Sequence, residues 1–176
     1  KKNVNKNEDA RLKAITDNLT TGDKDEMEKV KKIFYWIQDN ISYVAFEDGY
    51  GGFIPREAGL VYARKFGDCK DMSSITNEML RMAGIKSYLT WIGSRDIPYT
   101  YADVPTPSVD NHMITAYQDK QKKWYFLDAT GKKAPIDLHT SFIQGKQALI
   151  GISADIFLLV TVPTYDTSIN QSVDSV

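Results

Sequence analysis

Apolar residues recur at spacings of three and four in two stretches of this 176-residue chain. In the first, Met27, Val30, Phe34, Ile37 and Ile41 fall on one face of a predicted helix. Asp23, followed three residues later by Glu26, is its expected cap. The second helix is predicted from about Cys69 to Ala83. Met72, Ile75, Thr76, Met79, Leu80 and Ala83 make its stripe, and Gly84 suits the position just past its end. Met72, Met79 and Met82 read as core packing rather than a cofactor box.

Elsewhere the period is that of strands. Ile41–Phe46 is a short β-type run, and Ser87–Ile92 reads as a mostly buried strand. Met113–Tyr117 and Lys123–Leu127 are two further strands, joined by the polar residues Gln118–Lys122 as a hairpin. Phe142–Ile152 is apolar but ambiguous, and Phe157–Val162 reads as a closing strand. Asp48–Gly52 is a glycine-rich loop whose spacing is not GxGxxG, so it is read as a turn rather than a phosphate cradle. Ile97–Asn111 carries Pro98, Pro105 and Pro107, which predicts a long surface loop. Such a loop lines a groove or is a passive insertion. Residues 1–22 are expected to be an extension or linker, residues 23–163 the core domain, and residues 164–176 a polar tail.

Composition narrows the class. The length suits one domain with a real core, and 42% hydrophobic residues exclude disorder. A net charge of -1 gives no electrostatic case for nucleic acid. No apolar run is long enough to span a membrane. A single cysteine excludes an internal disulfide framework without excluding an oxidising compartment. The chain starts at Lys1 rather than methionine, so it is read as a piece of a longer polypeptide.

Chemistry enters with that single cysteine. Cys69 stands in Phe66-Gly67-Asp68-Cys69-Lys70-Asp71, where a turn enters the second helix. With Asp68 as cap, Cys69 lies in the first turn, where unpaired N–H groups favour thiolate over thiol and can donate to an oxyanion. The alternative is a small buried hydrophobe. The hairpin tips the balance. With Tyr117 opposite Lys123, His112 falls directly across from Asp128, on one face, with Cβ atoms ~5 Å apart. Thiol, imidazole and carboxylate then form the set that acyl transfer needs: nucleophile, proton carrier and orienting acid. His139 has no matching partner and is read as a surface histidine. Lys70 and Asp71 read as a solvated helix start. Two histidines, with no HExxH and no paired cysteines, give no case for a metal; no cofactor is expected. No GxSxG supports a serine hydrolase. Gln38 and Tyr43 are candidates for a second oxyanion donor.

These stretches resemble the transglutaminase-like superfamily of papain-type cysteine enzymes, in particular its bacterial transglutaminase-core members. The likeness rests on Tyr35–Tyr43, Gly67-Asp68-Cys69-Lys70-Asp71, Asp110-Asn111-His112 and Trp124–Asp128, and Gln144–Leu149 is similar to the segment just beyond the core in some of them. It implies an α+β, papain-like core in which a helix bearing the nucleophile packs on an antiparallel sheet bearing the other two groups. It also implies Cys69 as nucleophile, His112 as base and acid, and Asp128 as orienting carboxylate, acting on an amide or peptide carbonyl through a thioester. Lys70 stands where eukaryotic cross-linking relatives have tryptophan, so hydrolysis of a peptide or protein substrate is expected over cross-linking. The same resemblance suggests a periplasmic, exported setting. A catalytically silent module that binds a peptide or glycan is the competing expectation, given ten tyrosines and three tryptophans.

Overall fold

Among the residues described by this computed structural model (4–46, 52–166 and 168), four helices and seven strands follow one another. In chain order they are α1 (Ala10–Thr20), α2 (Glu26–Asn40), β1 (Ser42–Tyr43), α3 (Ala58–Arg64), β2 (Phe66–Gly67) and α4 (Cys69–Met82). Then come β3 (Ser87–Ile92), β4 (His112–Gln118), β5 (Trp124–Leu127), β6 (Gln147–Gly151) and β7 (Phe157–Thr161). The last five form one antiparallel sheet in the order β5-β4-β3-β6-β7, and β1 and β2 form a small parallel pair. The class is α+β, as the resemblance implies.

Helix α4 is the axis of the fold. Every residue in it except Asn77 and Arg81 is buried, because α1, α2 and α3 pack on it from one side and β3 and β4 from the other. Its interior polar groups are bonded rather than stranded. Ser74 Oγ donates to Arg56 O at 2.7 Å and Thr76 Oγ1 to Met72 O at 2.7 Å. Gly84, at φ 76°, takes the left-handed position past the helix end as its sequence suggests.

Several expectations are corrected. The stretch read as an extension contains α1, whose Leu12 and Thr16 are fully buried against the helical core. Helix α2 starts on Asp25, whose side chain accepts from Met27 N. Asp23 instead pairs with Lys32 Nζ at 2.7 Å. The predicted 41–46 strand shortens to the two residues of β1. Helix α3 was not foreseen; seven residues are too few for a periodic signal. Residues 48–51 of the glycine-rich loop lie outside the described residues, as does most of the expected polar tail.

The sheet separates two cores. On the helical side lie Val30, Ile33, Phe34, Ile37, Ile75, Met79 and their neighbours. On the other lie Ile92, Ile114, Ala116, Phe126, Ile143 and Ile150. Strand β4 is therefore buried on both faces. No helix among the described residues is long and apolar enough to cross a membrane.

Candidate active site

The first turn of α4 is built by its own sequence. Asp68 Oδ1 accepts from Lys70 N (2.9 Å) and Asp71 N (3.2 Å), and Asp71 Oδ2 accepts from Asp68 N (3.3 Å), a reciprocal capping box. Gly67 is required here: a Cβ on it would come within 2.5 Å of Asp71 Cβ. The cap engages the N–H groups of Lys70 and Asp71, and Cys69 sits between cap and helix as its first residue. Ser73, one turn on, has its hydroxyl 2.8 Å from both Cys69 O and Met113 O, while Thr115 Oγ1 donates to Ser73 O at 3.1 Å. These bonds pin the start of α4 to β4.

Strand β4 begins at His112. The hairpin register differs from the expected one by two residues: Tyr117 faces Tyr125, and Gln118 faces Trp124. The cause is the turn, where Lys122 takes a left-handed φ of 68° and Asp119 and Lys123 bond across a three-residue loop. A two-residue shift keeps every side chain on its face. Asp128 thus moves from directly across to diagonal, still within reach. His112 Nε2 and Asp128 Oδ2 lie 3.0 Å apart.

That carboxylate is fully used. Oδ2 also accepts from Thr140 Oγ1 at 3.4 Å, and Oδ1 accepts from Thr130 N (3.1 Å) and Thr130 Oγ1 (2.6 Å). Thr130 and Thr140 were missed by sequence reasoning. The Asp-x-Thr spacing of 128 and 130 is a local turn signal that points to the first; nothing local points to the second. The Cys69 sulfur lies beside the His112 imidazole and helps to raise its pKa. With Nε2 taken by Asp128, Nδ1 is the nitrogen left to face sulfur. Phe142 meets the imidazole edge-on at 5.0 Å between centroids. Cys69, His112 and Asp128 are 4, 6 and 5% exposed.

Electrostatics follows from that geometry. Burial alone would push the His112 imidazolium toward losing its proton, but Asp128 and the Cys69 sulfur outweigh it and raise its pKa to about 9. Burial likewise works against ionised Asp128; the hydrogen bond and charge of His112, with those from Thr130, overcome it and hold the carboxyl below its ordinary value.

The remaining candidates divide. Gln38 is buried in α2 and donates through Nε2 to Ala134 O at 3.1 Å, and its Oε1 lacks a partner among the described residues. Tyr43 lies on β1 with its side chain 42% exposed, beside the strand that leads into Cys69. Lys70 and Asp71 are not solvated, as the sequence suggested, but buried. His139 is not a surface residue either. It is buried between Phe126 and Tyr165, 5.4 Å from each, and burial and the charge of Lys123 lower its pKa. No cluster of three or more histidine, cysteine or carboxylate side chains among the described residues is arranged to hold a metal ion.

Cys69 lines neither of two cavities. A small one of about 40 Å³ is lined by Tyr101, Val109, Asp110 and Lys146 beside the proline-bearing loop. An open groove of about 1600 Å³ is lined by Arg81 near the end of α4, Tyr88 and Trp91 of β3, Met113 next to His112, and Leu149 and Phe157.

Known structures share this arrangement of elements. A protein from Parabacteroides distasonis ATCC 8503, provisionally named a protease, matches with a TM-score of 0.64 at 17% identity, over 88% of this chain and 28% of its own. One from Cytophaga hutchinsonii, provisionally named a cysteine protease, matches with a TM-score of 0.50 at 19% identity, over 69% of this chain and 37% of its own. At these identities the likeness is one of fold, and this chain spans about a third of either relative. No curated protein matches the sequence significantly. The sequence pattern of the transglutaminase-like superfamily matches residues 13–129. That span runs from α1 through the capped start of α4 to the end of the hairpin, and the chain belongs to the transglutaminase-like superfamily.

Proposed function

We propose that this domain carries out cysteine-dependent acyl transfer on an amide or peptide carbonyl. Cys69 is the nucleophile, His112 the proton carrier and Asp128 the group that fixes the imidazole. The observation that supports the reading is that Asp128 holds His112 at 3.0 Å, with the Cys69 sulfur acting on the same imidazole. Sulfur attacks the carbonyl carbon, and the new C–S bond pushes the carbonyl electrons onto oxygen. The Cys69 N–H, which the Asp68 cap leaves out, donates to that oxyanion, with Gln38 or Tyr43 as the second donor. The imidazolium then protonates the departing amine as the C–N bond breaks, leaving a thioester. Water or a second amine, deprotonated by the same imidazole, attacks the thioester and returns the thiol. The substrate is a peptide or protein, hydrolysis is the favoured outcome, and the setting is exported.

The test is mass spectrometry of glutamine-containing peptides incubated with wild-type and Cys69→Ala protein, with and without an added amine. Deamidation, cleavage and amine incorporation give distinct mass shifts. The reading expects one of them from the wild type and none from the variant; turnover that survives Cys69→Ala refutes it.

A second reading, a silent peptide- or glycan-binding module, draws support from the open aromatic groove, which Cys69 does not line. Peptide or glycan binding that survives Cys69→Ala, with no turnover by the wild type, favours it.

A further inference from the structure

The proposed chemistry leaves four charged side chains at the start of α4 without a role. Asp68 and Asp71 have side chains 1% exposed, as does Lys70, and Arg56 is 21% exposed. Both carboxylates sit at the helix end whose N–H groups carry about half a positive charge. Unbalanced, they outweigh that field and oppose a thiolate on the neighbouring Cys69. Two cations answer them. Lys70 Nζ lies 3.2 Å from Asp68 Oδ2. Arg56 Nη1 lies 2.7 Å from Asp71 Oδ2 and 3.5 Å from Asp68 Oδ2, so one guanidinium spans both acids.

Arg56 is also held from its other sides. Its backbone N donates to Asp71 Oδ1 at 2.9 Å, its carbonyl accepts from Ser74 Oγ at 2.7 Å, and its guanidinium lies 4.3 Å from the centre of the Phe46 ring. Buried ion clusters are poor stabilisers compared with well-packed apolar side chains. A cluster this fully bonded, against the one thiol of the chain, points to an electrostatic duty.

We infer that Arg56 is a positioning residue for the Cys69 thiolate. It balances the capping carboxylates Asp68 and Asp71 while tying its own backbone to the first turns of α4, so the helix end facing sulfur stays electropositive. The inference rests on Cys69 being the nucleophile proposed above. Sequence alone hides it, since Arg56 precedes Asp68 by twelve residues and has no periodic signal.

The experiment is the second-order rate of Cys69 alkylation by iodoacetamide at pH 7, with folding checked by circular dichroism. Cys69 is the sole cysteine, so the label reports one site. Arg56→Gln is expected to slow alkylation roughly tenfold, on the order of the effect of one unit charge left unbalanced in a partly buried site. Arg56→Lys restores most of the rate. The double variant Arg56→Gln/Asp71→Asn, which removes one cation and one anion, also restores it. An unchanged rate in Arg56→Gln overturns the inference, as does a double variant as slow as the single one, since geometry rather than charge would then be at work. Should Arg56→Gln not fold, Arg56→Lys and the double variant decide alone: rates within about threefold of wild type support the inference, and a roughly tenfold loss in either overturns it. A wild-type thiol no faster than a free one defeats the nucleophile reading itself; a fast wild type with an equally fast Arg56→Gln defeats only the role of Arg56.

Discussion

Asp128→Asn removes one charge from the site and keeps the side-chain shape. In the wild type, Asp128 holds His112 Nε2 at 3.0 Å, and the His112 pKa stands at about 9 against an ordinary 6.5. A folded-state pKa raised above the unfolded one stabilises the fold fully below the unfolded value, and that stability is lost as pH rises through the folded value. At about 1.4 kcal/mol per pH unit, the shift corresponds to roughly 3 kcal/mol, present below about pH 6.5 and gone above about pH 9. His112 is 6% exposed, so solvent screening removes little of it. Asp128 adds the opposite limb. Its lowered pKa contributes stability above the ordinary carboxyl value of 3.8, lost as pH falls through the folded value. Urea unfolding followed by tryptophan fluorescence reads both limbs. Wild-type stability should fall between about pH 6.5 and 9.5, whereas Asp128→Asn should lose less than about 1 kcal/mol over that window. The two proteins should converge in acid. Parallel slopes in the alkaline window refute the reasoning, because His112 would then owe its shift to something other than Asp128.

Gly67→Ala places a Cβ 2.5 Å from that of a pinned Asp71, so thermal unfolding should report a loss of about 1–3 kcal/mol; a loss near zero means the first turn of α4 yields. Ser73→Ala removes the hydroxyl shared by Cys69 O and Met113 O, with an expected cost of about 1 kcal/mol by urea titration; an unchanged midpoint shows that packing alone docks α4 on β4. Asp110, whose carboxyl accepts from Tyr101 Oη, has its pKa raised by burial to about 6, against the opposing bond from Tyr101. Stability tied to it is present below the ordinary value and lost as pH rises through 6. Asp110→Asn should therefore gain melting temperature relative to wild type at pH 7.5 but not at pH 4; equal differences at both values contradict this.

Much of the site was legible because it rests on local signals. Gly67-Asp68-Cys69 announces a cap, and the stripe from Met72 to Leu80 marks the face that α4 turns to the helical core. Alternation in β4 and β5 put His112 and Asp128 on one face even though the pairing was two residues out, since the face depends only on parity. The missing information was a single dihedral, the left-handed φ of Lys122, which local sequence does not dictate for a lysine. Helix α1 escaped because its apolar face is short: Leu12 is fully buried, while Ile15 and Leu19 are only partly so. The burial of Asp71 depends on Arg56, and that of His139 on Phe126 and Tyr165, partners brought close only by the chain's long-range path. Charged side chains read as solvated until their partners are known.

The central claim is that His112 is held charged at neutral pH by the acid on one side and the Cys69 sulfur on the other. The chain has two histidines, so ring-nitrogen NMR titration of ¹⁵N-labelled protein resolves them, with Cys69→Ala and Asp128→Asn to assign the signal. The account predicts one imidazole titrating near 9 that moves toward 6.5 in both variants, and a second, His139, titrating below 6.5. Both rings titrating at or below 6.5 in the wild type would contradict it.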